Sequence, residues 1–152
     1  MIQKITDLLE EVRKLEKIED EAAKKSHSAA NEASGGLVAS YSAAEDAEHA
    51  RNTANLSLDK AKVVGKLMKE LEDSVNTEAP GEARPVCFVS IELDGHVIRN
   101  SYLVNNPVFV SGFSLISSDS PLGKSLLGKT TCETFSYNSG EQTFSGKILE
   151  IA

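Results

Sequence analysis

Two apolar stripes with a period near 3.5 residues fill the first 79 positions of this 152-residue chain, and Ser34-Gly35-Gly36 separates them. The first stripe is Ile5, Leu8, Val12, Leu15, Ala22, Ser26 and Ala29. The second is Ala47, Ala50, Ala54, Leu58, Ala61, Val64, Met68, Leu71 and Val75. Steps of three and four keep each stripe on one side of an α-helix, which is the pattern of a coiled-coil seam. The glycines stop the first helix. Ser42-Ala43-Ala44-Glu45 reads as a capping box that restarts the chain as a second helix at Ser42. Two seams of similar length around a short break predict an antiparallel helical hairpin, a coiled coil, over residues 1–79, with Ile5 facing Val75. Each arm of roughly 35 residues spans about 50 Å at the rise of an α-helix. The seam is bulky at the open end and turns to alanine and serine toward the fold-back. Small residues bury little apolar area, so the tip is expected to be thin and weakly held.

Past residue 79 the period changes. The first 79 residues hold 11 basic and 16 acidic side chains, no proline and no phenylalanine; the remainder holds all four prolines, all five phenylalanines and only 12 charges. Thr77–Pro85, with its core at 80–85, is polar, bracketed by prolines, and reads as a linker. Val86–Leu93 and His96–Val104 alternate as strands around Asp94-Gly95, a strong hairpin turn. Val108–Ser117 offers a further strand. Ser120-Pro121 opens a short helix that runs to Leu127 and stops at Gly128. Thr131–Tyr137 and Gln142–Ile151 close the chain as a last hairpin. The fold class is therefore α+β: a helical hairpin followed, over 86–152, by a small domain with an antiparallel sheet of about five strands and one helix.

Charge and cysteine content narrow the function. With 16 Lys+Arg against 23 Asp+Glu, the net charge is −7, which argues against a protein that grips the nucleic-acid backbone. No apolar run is long enough to span a bilayer, and no charged-then-apolar leader opens the chain. Cys87 and Cys132 are too few for a disulfide framework or a four-ligand zinc site. A cytoplasmic protein without membrane contact is the expectation, and a monomer, because the two seams can satisfy each other.

The stretch Ser120-Pro121-Leu122-Gly123-Lys124-Ser125-Leu126-Leu127-Gly128-Lys129 resembles the S-P-L-(G/A)-x-(A/S)-L-(L/I)-G-K signature of the Gre family of bacterial transcript-cleavage factors. The closing Lys147-Ile148-Leu149-Glu150-Ile151 resembles that family's last strand, and the hairpin-then-domain order matches its architecture, in which the second domain is FKBP-like. The resemblance implies a transcription elongation factor whose globular domain docks on bacterial RNA polymerase at the rim of the secondary channel. The coiled coil enters the channel and touches the nascent RNA 3′ end only inside the complex. Acidic tip residues help hold a magnesium ion jointly with the polymerase, whose own active site hydrolyses backtracked RNA. The factor alone is then not an enzyme, has no cofactor of its own and binds no metal stably. Ser120, Pro121, Leu122, Lys124 and Lys129 become the polymerase-binding residues.

The family tip reads roughly G-D-L-x-E-N-A-E-Y. Gly35-Gly36-Leu37-Val38-Ala39 keeps its Gly and Leu but lacks the acids. Ala44-Glu45-Asp46-Ala47-Glu48-His49-Ala50 keeps two acids three apart, and it also resembles the tip of divergent Gre-like proteins of the Bacteroidetes type, matching Glu45, Glu48 and Arg51 to motif positions. The second register is favoured, with Glu45, Glu48 and Asp46 as the magnesium-directed acids. Two versions of the function follow: stimulated cleavage, or channel occupancy without cleavage.

Plainer readings stand beside these. Helix capping and the helix dipole also account for acids at 45–48. His49 shares a helical face with Glu45, yet two ligands without a third make a solvated histidine the simpler reading. His27 and His96 have no nucleophile or acid pattern around them. Cys87 and Cys132 fall in predicted strands and read as small core residues. Leu122, Leu126 and Leu127 read as the core face of the short helix, and Lys124 and Lys129 as ordinary solvated cations. A prolyl isomerase needs an aromatic-lined pocket that a chain without tryptophan is poorly equipped to build. A coiled-coil module for a partner other than polymerase is the alternative of a different class.

Overall fold

The computed structural model describes the backbone of residues 2–35, 41–78 and 80–152, and the side chains of 3–29, 48–78 and 80–152. Helix α1 (Ile2–Gly35) and helix α2 (Tyr41–Val75) form the hairpin. They run antiparallel: Arg13 of α1 pairs with Glu72 of α2 at 3.1 Å, while Ala23 lies level with Ala54. α2 starts one residue before the expected Ser42, and the side chains of the proposed capping box lie outside the described residues.

The seam differs from the stripes in three places. Leu58, expected inside, is 48% exposed, and Ser57 takes the half-buried position between Ala54 and Ala61. Ser57 restores the strict three-four alternation from Ala54 to Val75, which a step of four to Leu58 breaks. Ala29 is exposed. Leu67 and Leu9, outside the stripes, are buried. They face a third layer, because the open end of the hairpin rests on the sheet. Ile5, Leu8, Leu9, Val12, Val64, Leu67 and Leu71 share one apolar cluster with Phe88, Tyr102 and Val104.

The second half holds β1 (Cys87–Leu93), β2 (His96–Val104), β3 (Ser114–Ser117), α3 (Pro121–Leu126), β4 (Thr134–Ser139) and β5 (Gln142–Ile151). The sheet order is β3-β2-β1-β5-β4. Four strands pair antiparallel as expected; β3 joins β2 in parallel, since the 105–113 segment carries the chain back before β3 begins. Asp94 (φ 48) and Gly95 (φ 81) both sit in the left-handed region, as a two-residue type I′ turn requires. A bulge between Val89 and Ile91 is accommodated on β2 by Asn100 at φ 56.

The hairpin root covers one face of the sheet, and the other is covered by α3. There Cys87, Val89, Ile91, Leu103, Leu126, Phe135 and Ile148 make a second cluster. β1 is buried on both sides, which is why its residues Cys87–Ile91 read as a continuous buried run. The connecting stretch is fastened down: Ala83 is 1% exposed, its N–H donates to the Lys129 carbonyl at 2.7 Å, and its carbonyl accepts from the Gly128 N–H at 2.9 Å. Among the described residues no helix is long and apolar enough to cross a membrane.

Candidate functional site

The Ser120–Lys129 motif builds α3 and its two ends. The Ser120 hydroxyl accepts from the Gly123 N–H at 3.0 Å and donates to the Ser117 carbonyl at 2.7 Å, so it is a helix cap committed on both sides. Pro121 occupies the first turn, where its missing N–H costs nothing. Gly123 is buried, and a Cβ there would lie 1.9 Å from the Ser117 carbonyl oxygen. Only glycine lets the helix press this closely on the 117–118 backbone. Leu126 is fully buried and Leu122 half-buried, but Leu127 is 39% exposed, contrary to its expected place in the core face. The helix ends at Leu126, and the extended backbone of Leu127 turns its side chain outward. Pro121 and Lys124 are exposed and Lys129 is half-exposed. Of the residues assigned to partner contact, Ser120 serves the fold, Leu122 is partly committed to it, and Pro121, Lys124 and Lys129 are open to a partner.

The two cysteines separate. Cys87 is fully buried, and burial pushes its thiol up to about 11. Cys132, expected in a strand, is exposed at φ 72 and precedes β4, which begins only at Thr134. The left-handed backbone at Cys132 interrupts the regular β conformation just before β4, although its N–H still donates to the Ile148 carbonyl at 2.8 Å.

At the far end of the hairpin, α2 carries positions 45, 46 and 48 along its first turns. Glu48 and His49 are exposed. The side chains of Glu45 and Asp46 lie outside the described residues, so neither their approach to Glu48 nor their spacing to His49 is defined. His27 and His96 are exposed. Among the described residues no three His, Cys, Asp or Glu side chains come together as a metal site.

What fixes the hairpin on the domain was not legible as a motif. The Glu70 carboxylate accepts from the Asn105 N–H at 2.6 Å, the Asn106 N–H at 3.3 Å and the Asn106 side-chain amide at 3.1 Å. Asn105 Oδ1 accepts in turn from the Ser118 hydroxyl at 2.7 Å, two residues before the α3 cap. On α1, Lys4 Nζ lies 3.6 Å above the Phe88 ring and 2.7 Å from Glu150, and the Tyr102 hydroxyl donates to the Lys4 carbonyl at 2.8 Å. Burial, followed by the nearby Asp7 charge, pushes the Tyr102 phenol up to about 12. A polar Asn105-Asn106-Pro107 break looks like any loop in sequence; only the fold brings Glu70 across to it.

Phe109 is 88% exposed, next to Leu56 at 65% and Val63 at 37%. These residues, with Leu15 and Val108, line an apolar groove of about 500 Å³ between the hairpin flank and the 105–110 loop.

No protein-family model matches the chain, and no curated protein matches it significantly. Among solved structures it is similar to GreA factor homolog 1 of Thermus thermophilus at 15% identity, covering 99% of this chain and 94% of that one with a TM-score of 0.39. It is also similar to Gfh1 of Thermus aquaticus at 17% identity, covering 93% and 92% with a TM-score of 0.40.

Proposed function

We propose that this protein is a Gre-like factor of the bacterial cytoplasm that binds RNA polymerase through its second half and projects the helical hairpin into the secondary channel. The observation that carries this reading is the mounting of the hairpin. Two helices of 34 and 35 residues, about 50 Å long, are anchored at their root by a shared apolar cluster and by the Glu70 and Lys4 contacts. A rod fixed at one end, narrow along its length and tipped with acids suits delivery of carboxylates to a distant, enclosed site. The Gre-like Ser120–Lys129 motif supplies the second support, with Pro121, Lys124 and Lys129 facing solvent. The exposed Phe109 groove adds apolar surface beside the root, where a channel rim would meet the globular domain.

In the cleavage version, Glu45 and Glu48, with Asp46, complete the oxygen shell of a magnesium ion held by the polymerase; the protein itself hydrolyses nothing. In the second version the altered tip fills the channel without assisting the metal. A backtracked elongation complex separates them. Magnesium-dependent shortening of the RNA 3′ end, lost with Glu45→Ala and Glu48→Ala, supports the first. Unchanged cleavage with displacement of an authentic Gre factor supports the second. Neither effect, with no binding to polymerase core, overturns both and leaves a coiled-coil module for another partner.

A further inference from the structure

Between the end of α3 and the β4–β5 hairpin lies an open concavity of about 740 Å³. Lys124 and Lys129 line it, together with Ser136 and Ser145, which face each other across the β4–β5 register. In a chain of net charge −7 this is a local excess of positive charge. Among the described residues neither lysine side chain forms an ion pair or a hydrogen bond, the ion pairs falling instead on Lys4, Arg13, Lys14 and Lys24. The lone carboxylate on the wall, Glu133, is engaged through Oε2 by the Thr130 N–H and hydroxyl, which hold its carboxyl below the usual range. The Lys129 charge adds to that lowering, and with one carboxylate against two lysines the wall keeps a net positive charge.

The chemistry of an occupant follows from what the wall lacks. The N–H groups of Leu127, Gly128 and Lys129 donate to the Gly123, Ala83 and Leu126 carbonyls, and the Thr130 N–H to Glu133. No free row of amides remains to cradle a phosphate. Phe135 is buried, so no exposed aromatic face lines the space for stacking a base. With neither an amide cradle nor an aromatic platform, the wall offers an anion only dispersed positive charge and hydroxyls, which the carboxylates of a flexible acidic segment can use. We propose that this concavity receives the carboxylate side chains of an acidic segment of a partner protein. That the segment belongs to RNA polymerase rests on the reading above; the preference for carboxylate does not.

The test titrates the full-length protein with an oligoglutamate peptide while amide NMR signals are followed, with a Gly-Ser peptide and inorganic phosphate as controls. The expected result is shifts confined to residues around 124–136 and 145–146, an affinity that falls roughly tenfold from low to physiological salt, and loss of the shifts in the K124E/K129E double variant with its spectrum otherwise unchanged. Absence of shifts, shifts that persist in K124E/K129E, or equal shifts with phosphate would overturn the carboxylate site. A separate arm measures binding to polymerase core. Wild-type binding weakened by roughly tenfold in K124E/K129E places the acidic segment on polymerase, whereas binding that the double variant leaves unchanged removes the polymerase from this site alone. Failure of the wild type to bind polymerase, with the peptide shifts intact, overturns the channel reading and not the carboxylate site.

Discussion

Near its root the hairpin buries Ile5, Leu8, Val12, Val64, Leu67 and Leu71, each 3% exposed or less; farther out, the buried seam residues are Ala23 and Ala54, with Ser26, Ala50 and Ser57 only half-buried. The helices are continuous across both regions, but their sources of stability differ. At the root a third layer, the sheet with Phe88 and Tyr102, closes the core, and each leucine there contributes roughly 2–3 kcal/mol of apolar burial. Outward, two helices have only each other, and an alanine contributes a fraction of that. The distal region gains slenderness in return, since small seam residues let the axes approach. A rod of this design is rigid where it is mounted and weakly held where it reaches.

The largest effect is expected from Leu67→Ala, which removes a fully buried side chain and should cost about 3 kcal/mol in denaturant unfolding. Ala54→Gly, at the distal seam, should cost about 1 kcal/mol, mainly through helix propensity. Equal costs at the two sites would erase the distinction between the regions. Backbone amide exchange sharpens it further: amides of α1 and α2 near Ala23 and Ala54 should exchange faster than those near Leu8 and Leu67.

Glu70→Ala strips three hydrogen bonds from the Asn105-Asn106 loop and should cost about 1–2 kcal/mol, leaving two backbone donors to water. Spin labels on the hairpin and on β5 should then report a broader distance distribution; an unchanged one would mean that the apolar cluster alone sets the hairpin's direction. Tyr102→Phe removes the bond to the Lys4 carbonyl and should cost about 1 kcal/mol. Because the folded phenol titrates at about 12 against an ordinary 10, its protonated form favours the fold. That contribution is fully present below about pH 10 and is lost as pH rises toward 12. Thermal melts of the wild type should fall over this window more steeply than those of Tyr102→Phe. The smallest effect is expected at Leu58→Lys, below about 0.5 kcal/mol in the same unfolding assay, since the side chain is 48% exposed.

The features readable from the chain were those written in local chemistry. Asp94-Gly95 can hardly be anything but a tight turn, and Ser120-Pro121 with Gly128 brackets α3 to within a residue. Heptad counting found the hairpin but missed Leu9 and Leu67, because it registers only helix–helix contact and their burial comes from the sheet. It misassigned Leu58, where an apolar residue sits one step off a seam filled by Ser57. The parallel docking of β3 and the exposure of Cys132 depend on chain direction and backbone torsion, which alternation of apolar residues does not encode. The Glu70–Asn105–Ser118 chain joins positions far apart in sequence through ordinary polar side chains. At the acidic tip, the residue types and spacing were legible, and of the three candidates only the exposed Glu48 has a described side chain.

The central claim, a root-mounted rod that reaches into polymerase, is tested most directly by placing a photo-crosslinking residue at Glu48 of the full chain and irradiating its complex with RNA polymerase core. The result expected is crosslinks to segments that line the secondary channel and its active centre, with Lys129 labelled in parallel crosslinking to the outer rim. Crosslinks from Glu48 confined to the outer surface of the polymerase, or none from either position, would contradict it.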